Sequence, residues 1–226
     1  ERSLTGINDK QRTYFDRVRA AARQLSGLVD NVLDTARIDQ NTFAVSLEPH
    51  RLEPIVQATV EDVSFIAAPA QVQIVFRPPH EPLPELMLDA NRIREVVANL
   101  LTNAIKYSKP GSHVEVDARL EGAQVVVQVT DHGAGMPADE LPRLFDKYYR
   151  TDSSNRKVRG TGIGLFLVKH IVGQHGGEVG VESEPGEGSK FYFRLPIVGG
   201  PTRAAAPATS EQPHESSDSH PSPSPS

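Results

Sequence analysis

Between residues 9 and 39, the apolar side chains Phe15, Val18, Ala22, Leu25, Val29, Val32 and Ala36 recur at alternating intervals of three and four. The stretch has no proline, and Gly27 is its one interruption. This spacing predicts one long helix with a narrow apolar seam of the a/d kind, and it places Arg17, Arg19, Arg23, Asp30 and Asp34 off the seam, near or facing water. Such a stripe cannot stand alone in water. It calls for a partner within the chain, in a segment upstream of residue 1, or in a second copy.

After Phe43 the pattern mixes two periods, as in an α/β sandwich. Residues 52–67 read as a helix entered past Pro54, and residues 72–77 as a short strand ended by Pro78 and Pro79. Over 90–107, Ile93, Val97, Leu100, Leu101, Ala104 and Ile105 fall on one broad helical face that Pro110 and Gly111 terminate. Residues 114–120 and 123–130 alternate apolar and polar around Glu121 and Gly122, predicting a hairpin. Residues 164–175 return to helix, and strands follow at 178–182 and 189–195 around Pro185-Gly186-Glu187-Gly188. Beyond Gly199 the chain is mostly Pro, Ser and Ala and cannot bury enough apolar surface to offset the entropy of ordering. Three regions result: 1–42 the lone long helix, 43–198 an α/β domain, and 199–226 a disordered tail.

Composition adds limits. The chain has 226 residues with 38% hydrophobic content, enough for an ordinary core. No apolar run approaches the ~20 residues needed to cross a bilayer, and no signal peptide opens the chain, so a soluble cytoplasmic piece is expected. The parent could still carry a membrane anchor elsewhere. The absence of cysteine removes disulfides and thiolate metal sites. A formal charge of −5 argues against nucleic acid as a partner. Glu1 at the start, with methionine only at Met87 and Met136, reads as a fragment of a longer protein.

Three chemical elements stand in order along the α/β region. Asn99 and Asn103 lie four apart, so both amides share a helix face; an amide oxygen can ligate Mg²⁺, and Lys106 one turn on can meet a phosphate. Asp131 ends a predicted strand and is followed by His132-Gly133-Ala134-Gly135, so a carboxylate able to accept from an adenine amine sits beside glycines that let backbone approach a flat base. Gly160-Thr161-Gly162-Ile163-Gly164-Leu165 opens a helix and exposes backbone N–H groups to an anion. The glycine spacing fits neither a dinucleotide fingerprint nor a P-loop. Ahead of it, Lys147, Arg150, Arg156, Lys157 and Arg159 against the single acid Asp152 make a basic loop able to close over polyphosphate. Each element alone also has a plainer reading: solvent-facing amides, an ordinary strand-to-loop turn, and a solvated charged loop.

Together these residues resemble the catalytic region of bacterial sensor histidine kinases. Asn99-Leu100-Leu101-Thr102-Asn103-Ala104-Ile105-Lys106-Tyr107 resembles their N box, residues 131–135 the G1 box, and Leu144-Phe145-Asp146-Lys147-Tyr148-Tyr149-Arg150 the F box. Residues 160–165 resemble the G2 box and Gly186-Glu187-Gly188-Ser189-Lys190-Phe191 the final glycine turn, so the likeness spans about 9–196. It implies a Bergerat (GHKL) ATP fold, an α/β sandwich binding ATP and Mg²⁺ under a basic lid. Carried over, Asn103 is the metal ligand, Asn99 and Lys106 lie near the phosphates, Tyr107 near the nucleotide, and Asp131 reads adenine. Gly133 and Gly135 line the base, Gly160, Gly162 and Gly164 form the lid hinge and phosphate turn, and Arg159, Thr161 and Leu165 complete the expected nucleotide-binding set.

The resemblance makes the N-terminal helix the second helix of a dimerisation and phosphoacceptor hairpin. The first helix, with its acceptor histidine, is absent, and His50, His80, His113, His132, His170, His175, His214 and His220 lie in other contexts. No catalytic residue is assigned, and His132, His170 and His175 read as structural or solvated. The implied activity is phosphoryl transfer from ATP to a histidine, for relay to an aspartate on a response-regulator receiver domain, in a parent that dimerises through its hairpin. ATP-hydrolysing relatives carry a glutamate base four residues before the metal asparagine; Asn99 stands there, which favours kinase over ATPase. A noncatalytic binding or dimerisation module and an anti-sigma-type serine kinase are the alternative readings.

Overall fold

The computed structural model describes residues 9–150 and 160–197. Arg156, Lys157 and Arg159 of the expected lid, and the Pro/Ser-rich tail, lie outside the described residues.

Helix α1 (Asp9–Asp39) leads into strand β1 (Glu48–His50), helix α2 (Leu52–Ala67), strands β2 (Gln73–Arg77) and β3 (Leu86–Leu88), and helix α3 (Ala90–Tyr107). The hairpin β4 (His113–Glu121) and β5 (Gln124–Asp131) follows, then a 3₁₀ turn at Leu141–Arg143, helix α4 (Gly164–Gln174), and strands β6 (Glu178–Glu184) and β7 (Gly188–Pro196). Five strands form one sheet in the order β2-β4-β5-β7-β6, with β2 parallel to β4 and the other pairs antiparallel. A small second sheet pairs β1 with β3.

The two-residue period of the strands makes this a two-layer sandwich. Val114, Val116 and Ala118 of β4, Val125, Val127 and Val129 of β5, and Phe191, Phe193 and Leu195 of β7 face the helices and are buried. They meet Leu52, Val56, Val60 and Val63 of α2, the anticipated face of α3 with Val96 added, and Leu167, Val168, Ile171 and Val172 of α4. Each such fully buried aliphatic or aromatic side chain contributes roughly 1.5–3 kcal/mol. The intervening residues, His113, Glu115, Asp117 and Arg119 on β4 among them, form the opposite, polar face of the sheet.

Two connections fix how α3 enters this sandwich. Asp89 caps the helix, its Oδ1 accepting from the backbone N–H groups of Asn91 and Arg92 at 3.2 Å, while Oδ2 accepts from Ser46 N–H at 3.1 Å. These bonds hold its carboxyl below the ordinary range against the opposing pull of partial burial. The backbone N–H of Asp89 donates to Nε2 of buried His175 at 3.0 Å, and Nδ1 of His175 lies 2.7 Å from the Ile171 carbonyl. Since Nε2 accepts, Nδ1 carries the proton, and the imidazole is neutral; burial lowers its pKa. His175, read from sequence as structural or solvated, is structural: it joins the end of α4 to the start of α3.

Helix α1 stands partly apart. Its seam residues Phe15, Val18, Leu25, Val29 and Val32 are all exposed by half or more, so no described part of the chain covers them. Asp34 departs from the expectation that it lies near or facing water. It is 5% exposed and receives two hydrogen bonds from Arg92 of α3, one of them 3.1 Å from Nη2 to Oδ1. Heptad position describes one helix; it carries no information on which off-seam residue a neighbouring domain covers. A second tie joins Lys147 to Asp39 at 2.6 Å.

Candidate ATP-binding site

Helix α3 is the spine on which the motif residues assemble. Its C-terminal end touches the G1 loop: a Cβ added to Gly133 would lie 2.4 Å from the Tyr107 carbonyl oxygen and 2.7 Å from Asp131 Oδ1. Its last turn brings Lys106 Nζ to within 2.8 Å of the same imaginary atom on Gly160, and its middle places Asn99 Oδ1 2.9 Å from that of Gly164, the first residue of α4. The remaining glycine of the turn, Gly162, sits at φ +70° against the backbone of Tyr148 and Tyr149, and its carbonyl accepts from Tyr148 N–H at 2.9 Å. Residues from four separate sequence motifs thus converge, three of them directly on α3.

The carboxylate of Asp131 is buried, 3% exposed, at the end of a central strand. Its Oδ1 accepts from Gly133 N–H at 2.8 Å. Burial pushes its pKa up, while the backbone donors Gly133 and Ser189 and the nearby His132 pull it down. A buried acid held in place by backbone donors is suited to reading a donor on a ligand rather than to staying solvated. Gly135 is needed for a different reason. At φ +62°, its absent Cβ would fall 1.8 Å from the Glu184 carbonyl oxygen, so the backbone of the β6–β7 turn fills the space beside it.

Asn99 and Asn103 are both half-buried, but only Asn99 is tied down, its Nδ2 donating to the Glu95 carbonyl at 3.1 Å. The Asn103 amide makes no hydrogen bond among the described residues, which leaves its oxygen available. Lys106 is half-buried with Nζ 5.0 Å from the ring centre of Tyr107, and Tyr107 is 39% exposed. Thr161 is exposed with Oγ1 toward Ile163 N–H at 3.4 Å, and Leu165 is half-buried beside the core. Of the anticipated set, Arg159 lies outside the described residues.

Sequence reasoning missed a cleft of about 520 Å³ between α1 and α3. Asp30, Asp34, Arg92, Glu95, Asn99 and Thr102 line it. Burial first, then Asp34 and Asp30, raise the Glu95 carboxyl above its ordinary value against Arg92 at 2.9 Å, and Asp34 with Glu95 also pushes the Arg92 guanidinium up against its own partial burial. Nothing in the α1 periodicity signals these partners. The one legible hint is that Arg92 and Glu95 share a face of α3 with Asn99.

Residues 88–199 match the family described as histidine kinase-, DNA gyrase B-, and HSP90-like ATPases. The chain is 30% identical over 192 residues to the circadian input-output histidine kinase CikA of Synechococcus elongatus, covering 84% of this chain and 26% of that protein. It is 33% identical over 186 residues to the adaptive-response sensory kinase SasA of the same organism, covering 82% and 48%. Among solved structures, full-length ShkA in complex with AMPPNP superposes with a TM-score of 0.69 at 31% identity, covering 89% of this chain and 42% of that one. The chain belongs to the ATP-binding catalytic domains of bacterial sensor histidine kinases.

Within that family, the sandwich, the helix spine and the glycine turns are the scaffold of an ATP-binding module. The chain spans half or less of the length of these relatives. No described helix is long and apolar enough to cross a membrane.

Proposed function

We propose that this chain is the catalytic portion of a two-component sensor kinase, binding Mg²⁺-ATP and passing its γ-phosphoryl group to a histidine on a hairpin helix. The observation that carries this reading is the convergence on α3 of an available Asn103 amide, Lys106 beside Gly160, Asn99 beside Gly164, and Asp131 beyond Tyr107. The similarity to ShkA, whose structure is a complex with AMPPNP, supports it.

Each residue has a part in this reading. Asp131 accepts from the adenine amine with the oxygen not given to Gly133. Asn103 fits Mg²⁺, because a neutral amide oxygen with no partner among the described residues suits a hard cation that keeps most of its waters. Mg²⁺ there would neutralise phosphate charge. Lys106 and the N–H groups at the start of α4 hold the phosphates in place. The transfer forms a bond from phosphorus to an imidazole nitrogen and breaks the bond to the ADP oxygen. Asn99 borders both the glycine turn and the α1–α3 cleft, so an acceptor helix lying along α1 would reach the phosphate through that cleft. Gly160, Gly162 and Gly164 form the lid hinge, Arg159, Thr161 and Leu165 complete the nucleotide-binding set, and the phosphohistidine then serves a receiver-domain aspartate. Pairing of two copies through the hairpin covers the exposed seam of α1.

The test has two stages. A fluorescent ATP analogue is titrated against the wild type, Asn103→Ala and Asp131→Ala, with binding expected only in the wild type. A separate hairpin bearing an acceptor histidine is then added with radiolabelled ATP, and acid-labile label on the hairpin is expected. Binding without transfer leaves a noncatalytic module, acid-stable label on serine marks a serine kinase, and no binding by the wild type refutes the nucleotide reading.

A further inference from the structure

The polar face of the sheet carries a second constellation, formed by strand register alone. Val114 of β4 pairs with Asp131 of β5 in an antiparallel ladder, so His113, one residue before, lies opposite His132, one residue after. Glu115 is two residues from His113 and therefore shares its face. The rings of His113 and His132 stand 4.6 Å apart at 50°, and His113 Nε2 lies 3.0 Å from Glu115 Oε1. One donor atom from each of the three residues lies within 4.8 Å of the others. Both histidines are exposed and Glu115 is half-buried, with Arg77 Nη2 at 2.8 Å from its Oε1.

We propose that His113, His132 and Glu115 bind a borderline divalent transition-metal ion, with zinc the best match to their donors. Two imidazoles and one carboxylate suit zinc and its neighbours, whereas Mg²⁺ takes oxygen donors almost alone. Tetrahedral zinc with bonds of about 2.0–2.2 Å sets its ligand atoms roughly 3.3–3.6 Å apart. The His113–Glu115 pair is already near that separation, and the second ring closes the remainder by side-chain rotation, which its exposure permits. Three protein donors leave a fourth position for water. Arg77 grips one oxygen of Glu115 from the neighbouring strand and fixes its direction, as an outer partner does for a metal-binding carboxylate. The site is one residue from the carboxylate assigned to adenine, yet it stands without that assignment because zinc binding is measured with no nucleotide present.

Zinc is titrated into the untagged chain against a chromophoric chelator, beside His113→Ala, His132→Ala, the double variant, and His80→Ala as an exposed control. The wild type and His80→Ala should take up one zinc with equal affinity. Each single variant should weaken it by more than about tenfold, since removal of even an outer partner of a metal ligand costs that much. Cobalt in place of zinc should give a visible tetrahedral absorption that His132→Ala abolishes. Circular dichroism verifies that the variants fold. An isotherm shared by the wild type and the double variant would mark adventitious binding to other histidines and overturn the proposal.

Discussion

Gly133→Ala tests whether α3 and the end of β5 are packed as tightly as the site requires. The new Cβ would lie 2.4 Å from the Tyr107 carbonyl oxygen, where ordinary contact begins near 3.4 Å, so the two backbones must part by about 1 Å. Neither obstacle is a flexible tip: one is helix backbone, the other the Asp131 Oδ1 that accepts from this same residue's N–H. Overpacking of this kind costs about 1–3 kcal/mol, and a weakened hydrogen bond to a buried charged group adds to it. For a domain of this size the loss corresponds to a fall in Tm of roughly 2–12 °C. Gly173→Ala makes the same chemical change in the last turn of α4, where a Cβ meets nothing within 4 Å. Helix propensity then predicts a gain of about 0.5–1 kcal/mol. Chemical denaturation of both variants gives the comparison, and ATP-analogue titration should show weakened binding only in Gly133→Ala. Equal stability of the two variants would refute the packing argument.

Further outcomes follow from other contacts. His175 has a lowered pKa when folded, so the unfolded chain binds the additional proton first; stability should be full above pH ~6.5 and fall as pH drops through that value toward the folded one. Denaturation midpoints from pH 7.5 to 5 should show that slope in the wild type and a shallower one in His175→Gln. Asp89→Ala removes the cap of α3 and should cost about 1–2 kcal/mol, read by urea titration; no loss would mean that the cap is dispensable. Asn103→Ala removes no hydrogen bond among the described residues, so its stability should stay within about 0.5 kcal/mol of the wild type while nucleotide binding is lost. Arg92→Ala leaves Asp34 buried without its main partner, at a cost on the order of 1–3 kcal/mol. Hydrogen exchange should then rise in α1 before the sandwich, and uniform protection would show that the pair does not hold α1 in place.

The sequence by itself determined the described α-helices, the five strands of the larger sheet and their order, because each depends on neighbours within a turn or two. The period of α3, the hairpin at Gly122, and the helix opening at Gly164 all arise locally, and the structure shows them within a residue or two of where the pattern placed them. The same locality exposed the five motifs, whose spacing is a property of the chain. It could not show β1 and β3, three-residue strands too short for a period and defined only by the pairing of Glu48 with Leu88 and His50 with Leu86. Nor could it show that Asp34 leaves water for Arg92, that His175 braces the cap of α3, or that His113 stands opposite His132. Even Gly133 and Gly135, alike in the motif, differ in purpose: one makes room for helix backbone beside the site, the other for a turn behind it. Periodicity reports which face of an element is apolar, but only the folded chain decides what lies against the polar one, because those partners come from distant segments brought together by burial of the core.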